Sequence, residues 1–192
     1  MSTRFRLGIS AAALAVFMPL TAHAQGAVTV IGGGLARDCY NAVEYSRVVL
    51  TKAIEVCNLA LETEQLRPKD RAATFTNRGI LYMRQGNNSR AVIDYQRSIN
   101  LLPDLREAKV NLGAALYNLK RYPEAMAALN EGVATESLNA RAIGFYNRAL
   151  THEKLGDLQS AYEDFRSALQ INPEFTQASE QIARFTVVPV EG

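Results

Sequence analysis

The sequence has few of the residues that usually carry chemistry in proteins. Its 192 residues include no tryptophan, two cysteines and two histidines. It contains no glycine-rich phosphate loop, no serine or cysteine nucleophile signature and no metal-spaced cluster. His152 falls at a helix position that packing residues share, which favours a structural role. We therefore predict a protein that is not an enzyme and that requires no cofactor or metal ion.

Long apolar runs are also missing beyond the N-terminus. Arg4 and Arg6 precede an apolar run at 7–20, and residues 22–24 (Ala-His-Ala) form a small-x-small cleavage site, which is the pattern of a secretory signal peptide. We expect removal of residues 1–24, leaving a protein that is periplasmic or secreted. No later run approaches the roughly 20 apolar residues that a membrane span needs, so no stable membrane insertion is predicted.

No strong excess of one charge is present either. The chain has 21 basic and 19 acidic residues, and two of the arginines lie in the predicted signal peptide. The remaining chain is therefore close to neutral. It lacks the concentrated basic face that nucleic-acid binding requires, so we predict another protein or peptide as its partner.

Small and aromatic residues recur at fixed spacing through most of the chain. Counted from the first residue of 142–175, small residues stand at positions eight and twenty (Ala149, Ala161), glycine at fifteen (Gly156) and proline at thirty-two (Pro173). Small side chains let two antiparallel helices approach closely, glycine forms the turn between them, and proline ends the second helix. The 34-residue stretch 142–175 therefore predicts one helix-turn-helix unit.

Two further copies of the pattern lie upstream. Residues 72–105 contain Gly79, Gly86, Ala91, Tyr95 and Pro103 at the equivalent positions. Residues 106–139 are a weaker copy, with Gly113, Ala125 and Leu129 but with Ser137 in place of the proline.

This 34-residue pattern resembles the tetratricopeptide repeat family. The resemblance implies an all-α, right-handed superhelical solenoid of antiparallel helix pairs, whose first helices line a concave groove. The predicted division is a signal peptide (1–24), a flexible lead-in (25–34), the solenoid (35–185) and a tail (186–192). Within the solenoid we place a degenerate repeat one at 35–67, repeats two to four at 72–105, 106–139 and 142–175, and a cap helix at 176–185.

Both cysteines fall in repeat one. The midpoint between Cys39 and Cys57 lies close to the expected turn, and residues equidistant from the turn face each other in antiparallel helices. An exported chain with two cysteines so placed is expected to form one disulfide, which would support the shortened first helix. A redox pair is a poorer interpretation because the spacing is not Cys-x-x-Cys.

An arginine and an aspartate recur together. Position seven is Arg78 in repeat two and Arg148 in repeat four, and position twenty-three is Asp94 and Asp164. In repeat three both charges are lost. The joint loss predicts a structural ion pair within each repeat rather than between neighbouring repeats.

Asparagine occupies position six of repeats two, three and four. A carboxamide both donates and accepts, so this row can bond an extended peptide backbone; alternatively, the side chains satisfy neighbouring backbone groups or water. The resemblance implies groove-lining positions, although the lysine and arginine clamp of some family members is missing. The predicted peptide-binding residues are Thr76, Asn77, Ile80, Met83, Arg84, Val110, Asn111, Ala114, Tyr117, Asn118, Tyr146, Asn147, Leu150 and Lys154.

Two functions remain open on the sequence. The first is a non-catalytic periplasmic interaction module that binds a peptide segment of an envelope protein in its groove. The second is a structural subunit of an envelope or secretion assembly that packs through its convex face or cap. The sequence does not predict the oligomeric state.

Overall fold

The computed structural model describes the backbone of residues 5–9, 28–30, 33–45 and 49–189, and the side chains of residues 28–30, 33–45 and 49–186. These residues form nine helices and one pair of strands. The first eight helices make four consecutive pairs, and a ninth short helix follows them. The helices are α1 (Leu35–Tyr45), α2 (Leu50–Thr63), α3 (Pro68–Arg84), α4 (Asn88–Leu101), α5 (Arg106–Asn118), α6 (Tyr122–Gly132), α7 (Leu138–Lys154), α8 (Leu158–Ile171) and α9 (Thr176–Ile182).

The predicted turn and stop residues explain where these helices end. Gly86 and Gly156 follow the first helices of repeats two and four with φ of 81° and 86°, a conformation that glycine adopts without strain. Lys120 stands at the same position of repeat three with φ of 61°. The second helices α4 and α8 end two residues before Pro103 and Pro173, because proline disfavours a helical conformation at the residue before it.

Close contact inside each pair depends on the small residue at position eight. A Cβ atom added at Gly79 would lie 2.5 Å from the buried ring of Tyr95, and one added at Gly113 would lie 2.4 Å from Cγ of Leu129. Tyr95 and Leu129 both stand at position twenty-four and are fully buried. The small-residue prediction is therefore confirmed, and each glycine accommodates one large side chain of the facing helix.

The pairs stack into one solenoid. Each second helix contacts the first helix of the next pair, and first helices also contact one another, as α1 does α3 and α5 does α7. A buried apolar cluster runs continuously from Cys39 in α1 to Phe185 after α9. None of the described helices is long and apolar enough to cross a membrane.

The C-terminal end differs from the sequence prediction. The cap helix ends at Ile182 rather than at residue 185, and Phe185–Pro189 forms strand β2 instead of a loose tail. Phe185 leaves the helix to place its ring 5.8 Å from Tyr162 and 6.0 Å from Phe165, measured between ring centroids. The ring packs on the face of α8 that carries these two residues, which is the capping role expected of this segment.

Strand β2 pairs with a strand from the other end of the chain. Strand β1 (Phe5–Ile9) runs antiparallel to it, with Phe5 opposite Pro189 and Ile9 opposite Phe185. The all-α prediction therefore holds for residues 35–182 but not for this strand pair. Strand β1 lies within the segment predicted to be a signal peptide, so removal of that segment would leave β2 without this partner.

Candidate peptide-binding groove

The predicted groove residues lie on the first helices of repeats two, three and four. Five stand on α3, five on α5 and four on α7. Burial separates them into two sets. Met83 and Asn118 are half-buried, and Arg84 and Lys154 are exposed. The buried set consists of Thr76, Asn77, Ile80, Val110, Asn111, Ala114, Tyr117, Tyr146, Asn147 and Leu150.

Residues at position five pack inside the solenoid, so their assignment to a peptide-contacting surface is corrected. The hydroxyls of Thr76 and Ser98 in α4 are hydrogen-bonded at 2.8 Å. Val110 packs so closely on α6 that a Cβ atom at Gly132 would lie 2.8 Å from its Cγ2. The ring of Tyr146 lies between those of Phe165 and Phe175, at centroid distances of 5.8 and 5.0 Å. Position five therefore joins first helices to their neighbours.

Two residues near the ends of first helices tie helices together. Arg84 donates a hydrogen bond to the carbonyl oxygen of Val43 in α1 at 2.8 Å. Asn118 donates to Oδ1 of Asn88 in α4 at 3.3 Å. Both contacts join one repeat to the preceding one, so these side chains have structural partners in addition to any ligand.

Asn77 holds an extended stretch of main chain. The Val28 amide donates to Asn77 Oδ1 at 2.7 Å, and Asn77 Nδ2 donates to the Val28 carbonyl oxygen at 2.9 Å. One carboxamide therefore satisfies both main-chain groups of one residue, as a neighbouring strand would. Asn77 is fully buried. A position-six asparagine therefore bonds an extended backbone within the chain itself, which also fits the alternative that these side chains satisfy backbone groups of this protein, and contact with a partner peptide stays a prediction.

Val30 lies two residues beyond this contact and fills a small apolar pocket. It is 1% exposed and clusters with three alanines, Ala36 of α1, Ala60 of α2 and Ala73 of α3. Thr29 between the two valines is exposed. The alternation matches an extended segment with one side chain in every two facing the protein. The prediction of a flexible lead-in is therefore wrong for residues 28–30, because the Val-Thr-Val alternation suits docking.

Asn111 and Asn147, the other members of the asparagine row, are also fully buried. Burial raises the pKa of Tyr146 to about 12 and also raises that of Tyr117. Both phenols therefore stay neutral at physiological pH. A groove that presents neutral amides and the neutral phenol of Tyr117 recognises polar main-chain groups better than charged ligands.

Both predicted ion pairs form inside their repeats. Arg78 donates two hydrogen bonds to the Asp94 carboxylate, both at 2.7 Å. Arg148 does the same to Asp164, at 2.7 and 2.9 Å. The hydrogen bonds follow the planar, two-pronged geometry that makes Arg-carboxylate pairs strong.

A third bond from each arginine was missed by the sequence analysis. Arg78 also donates to Asn58 Oδ1 at 2.7 Å, and Arg148 to Asn130 Oδ1 at 3.2 Å. Both asparagines stand at position twenty-five of the preceding repeat. The sequence carries a signal for this bond, because the asparagine and the arginine are lost together. Repeat three has Leu112 in place of the arginine, and the repeat before it has Gln96 in place of the asparagine. The arginine therefore joins consecutive repeats as well as the two helices of its own repeat.

Repeat one is held by two contacts. The predicted disulfide joins Cys39 of α1 to Cys57 of α2, and both cysteines are fully buried. The carboxylate of Glu64, which follows α2, accepts hydrogen bonds from the amides of Leu35 and Ala36 at 2.6 and 3.0 Å. These amides have no partner within α1, so Glu64 satisfies the N-terminus of that helix. The described residues contain no group of three His, Cys, Asp or Glu side chains that could hold a metal ion.

Comparisons with known proteins agree with this architecture. A stretch of 79 residues is 32% identical to DnaJ homolog subfamily C member 7 homolog of Schizosaccharomyces pombe, covering 41% of this chain and 17% of that protein. The chain thus spans less than a fifth of the length of that curated relative.

Solved structures are similar in fold. Pseudomonas aeruginosa PilF superposes with a TM-score of 0.67 at 19% identity, covering 78% of this chain and 64% of PilF. The first tetratricopeptide repeat domain of Spaghetti (RPAP3), solved with an HSP90 peptide, gives a TM-score of 0.56 at 21% identity over 60% of this chain and 90% of that domain.

Residues 76–140 and 142–175 match two family models, each described as a tetratricopeptide repeat. Together these spans cover slightly more than half of the chain. The matched residues include the glycines and alanines whose close packing defines the helix pairs above. The chain belongs to the tetratricopeptide repeat family.

Proposed function

We propose that this protein is a non-catalytic interaction module that binds an extended peptide segment of another protein in its concave groove. The supporting observation is the contact between Asn77 and Val28. It demonstrates geometry in which a position-six carboxamide bonds both main-chain groups of an extended residue. Asn111 and Asn147 occupy the equivalent positions of the next two repeats, so an extended ligand would meet a carboxamide in each repeat.

A buried hydroxyl adds support in repeat three. The Tyr117 hydroxyl has no hydrogen-bond partner in the part of the chain that the structure describes, although the residue is only 4% exposed. Leaving a buried polar group without a partner typically costs about 1–3 kcal/mol. A ligand carbonyl that accepts from this hydroxyl would remove that cost.

The proposed location is the periplasm. The basic residues, apolar run and small-x-small site of residues 1–24 support export and cleavage after Ala24, and a disulfide between buried cysteines fits an oxidising compartment. Intact mass measurement of the protein from a periplasmic fraction tests this. A chain beginning at Gln25 is expected, and an uncleaved chain retained in the cytoplasm would contradict the proposal. In that compartment the partner would be another envelope protein.

Site-specific photocrosslinking tests the groove itself. Lys154 is an exposed groove position on α7, and Ile93 is 51% exposed on α4. We expect a crosslinker at position 154 to capture a partner, and we expect Asn147→Ala to reduce that capture at least about tenfold. A crosslinker at position 93 is the matched control on a second helix.

A second candidate function is permanent packing in an envelope or secretion assembly through the convex face. It is favoured by apolar side chains that remain exposed on second helices, Leu59 (47%), Ile93 (51%) and Leu101 (37%). Single exposed apolar residues are common on protein surfaces, so this observation is the weaker one. Crosslinks from position 93 but not from position 154 would favour this function and overturn groove binding.

A further inference from the structure

The lead-in residues 28–30 occupy the same place that the proposed function assigns to a ligand. Two independent contacts hold them there, and the exposure of the residue between them fits an extended segment. Asn77 bonds both main-chain groups of Val28, the pocket of Ala36, Ala60 and Ala73 buries Val30, and Thr29 faces outward. The contact therefore combines main-chain recognition at one residue with side-chain recognition two residues later.

The pocket around Val30 sets a chemical preference. Its three alanine side chains come from three different helices, and the partly buried side chains of Val28, Leu35, Tyr40 and Leu66 pack against the same cluster. A β-branched aliphatic side chain fills the pocket, whereas a charged side chain would be buried without a counterion at large cost. Polar or charged residues are tolerated only at the exposed middle position.

We propose that the Asn77 site binds extended segments of the form apolar-x-aliphatic, and that the lead-in fills this site in cis and competes with any such segment from a partner. This inference rests on the proposed groove function and specifies both its ligand class and its regulation. The occupant remains after cleavage at Ala24, because residues 28–30 belong to the mature chain. The Asn77 site is therefore occupied until residues 28–30 of the same chain leave it.

The short tether makes this competition strong. Only residues 31–34 separate Val30 from the first residue of α1. A segment joined to its site by so few residues has an effective concentration in the millimolar range. The apparent affinity of an outside peptide falls in proportion to the fraction of molecules whose site is open. A substitution that undocks the lead-in without touching Asn77 should therefore tighten binding of the peptide.

Val30→Asp is that substitution, and Thr29→Asp is its matched control. Both place the same charge in the same segment, but only the first places it in the alanine pocket. The probe is a fluorescein-labelled synthetic peptide of residues 25–34 (QGAVTVIGGG), and binding to the purified full chain is followed by fluorescence anisotropy. We expect Val30→Asp to bind the probe at least about tenfold more tightly than wild type does. Thr29→Asp should behave like wild type.

One further protein variant and one variant of the probe peptide test whether the probe binds at Asn77 and the alanine pocket. Adding Asn77→Ala to Val30→Asp should abolish the gain, because the carboxamide that holds the main chain is gone. A probe peptide carrying aspartate in place of Val30 should bind no variant. Retained binding in the Asn77→Ala background, or tight binding of the aspartate peptide, would overturn the assigned site.

A measurement on the wild-type protein does not depend on any variant folding. The Val28 amide should exchange with solvent at least about tenfold more slowly than in the isolated peptide, and exchange at the peptide rate would overturn the docking. Equal probe affinity for wild type and Val30→Asp would overturn competition in cis while leaving groove binding intact. If the probe binds neither the wild type nor any variant, the proposed preference for apolar-x-aliphatic segments is overturned. The proposed function is tested separately, by the crosslinks from position 154.

Discussion

Repeat three and its two neighbours build the same helix pair from different residues. Repeats two and four have an Arg-Asp ion pair, whereas repeat three has Leu112 and Ala128 at those positions. The neighbours turn at a glycine, and repeat three turns at Lys120. Its helices are also shorter, with 13 and 11 residues in α5 and α6 against 17 and 14 in α3 and α4.

The feature that all three repeats share is the close contact between positions eight and twenty-four. Gly79 faces Tyr95, Gly113 faces Leu129, and Ala149 and Phe165 occupy the same positions of repeat four. The comparison teaches that small-to-large packing determines the geometry of the pair. The ion pair, the turn glycine and the helix caps are additions that one repeat can lack, and substitutions at each of these positions test how much it contributes.

The ion pair should give the largest effect. Asp94→Ala leaves Arg78, whose side chain is 12% exposed, without its carboxylate; removing one member of such a buried pair typically costs 3–5 kcal/mol. We expect a loss of about 3 kcal/mol in the free energy of unfolding, measured by urea denaturation. Arg78→Leu with Asp94→Ala copies repeat three and should be less destabilising than the sum of the single changes. Simple additivity would refute the proposed coupling.

Adding a methyl group at position eight should come next. Gly79→Ala and Gly113→Ala place a Cβ atom against Tyr95 and Leu129, and overpacking of this kind costs about 1–3 kcal/mol. The better helix propensity of alanine offsets up to about 1 kcal/mol. We therefore expect a net loss of about 1–2 kcal/mol in both repeats. Gln96→Ala on the exposed face of α4 is the control, and an equally stable Gly79→Ala protein would show that the pair opens without cost.

The helix caps should contribute less. Asp157 caps α8 by accepting from the Ser160 amide, and Asn87 caps α4 in the same way, whereas Arg121 provides no side-chain cap to α6. Asp157→Ala should cost about 1 kcal/mol at neutral pH.

This contribution should depend on pH. The hydrogen bonds from Ser160 lower the pKa of Asp157, so the stabilisation is fully present above the unfolded-state pKa of about 3.9 and is lost as the pH falls through the folded-state pKa. Stability curves of wild type and Asp157→Ala should therefore converge in acid. Asn87→Ala should cost a similar amount without converging, since an amide does not titrate.

The turn at Lys120 should give the smallest effect, and in the opposite direction. A non-glycine residue in the left-handed region costs roughly 1–2 kcal/mol, which glycine avoids while losing more conformational entropy on folding. We expect Lys120→Gly to raise the free energy of unfolding by about 0.5 kcal/mol. The reverse change Gly86→Lys in repeat two should lower it, and a destabilised Lys120→Gly protein would show that the lysine side chain has another role at this turn.

The sequence predicted the solenoid well because its signals are local and repeated. Glycine and alanine at fixed spacing, the proline stops, the facing cysteines and the paired charges each depend on a geometry that a helix pair imposes. The third bonds of Arg78 and Arg148 were missed although the asparagines at position twenty-five carry a periodic signal. They join different repeats, and an asparagine carries no charge that would mark it as the partner of an arginine.

The site was harder to predict because its burial depends on non-local packing. Helical spacing alone did not distinguish Thr76 and Val110, which pack inward, from residues that face the groove. The three glycines before α1 suggested flexibility, although the preceding Val-Thr-Val docks against α3. The strand formed by residues 185–189 was likewise assigned to a tail, since a strand partner nearly 180 residues away leaves no local pattern.

The contact between Asn77 and Val28 also affects how this protein should be compared with others. Both bonds go to main-chain atoms, so the bonds themselves exclude only proline at position 28, which lacks the amide hydrogen. The preference for an apolar side chain there comes from the packing of Val28 against the cluster around Val30. Lead-ins that keep the apolar-x-aliphatic pattern but share few identical residues can therefore dock in the same way, and an alignment scored on residue identity will not detect them.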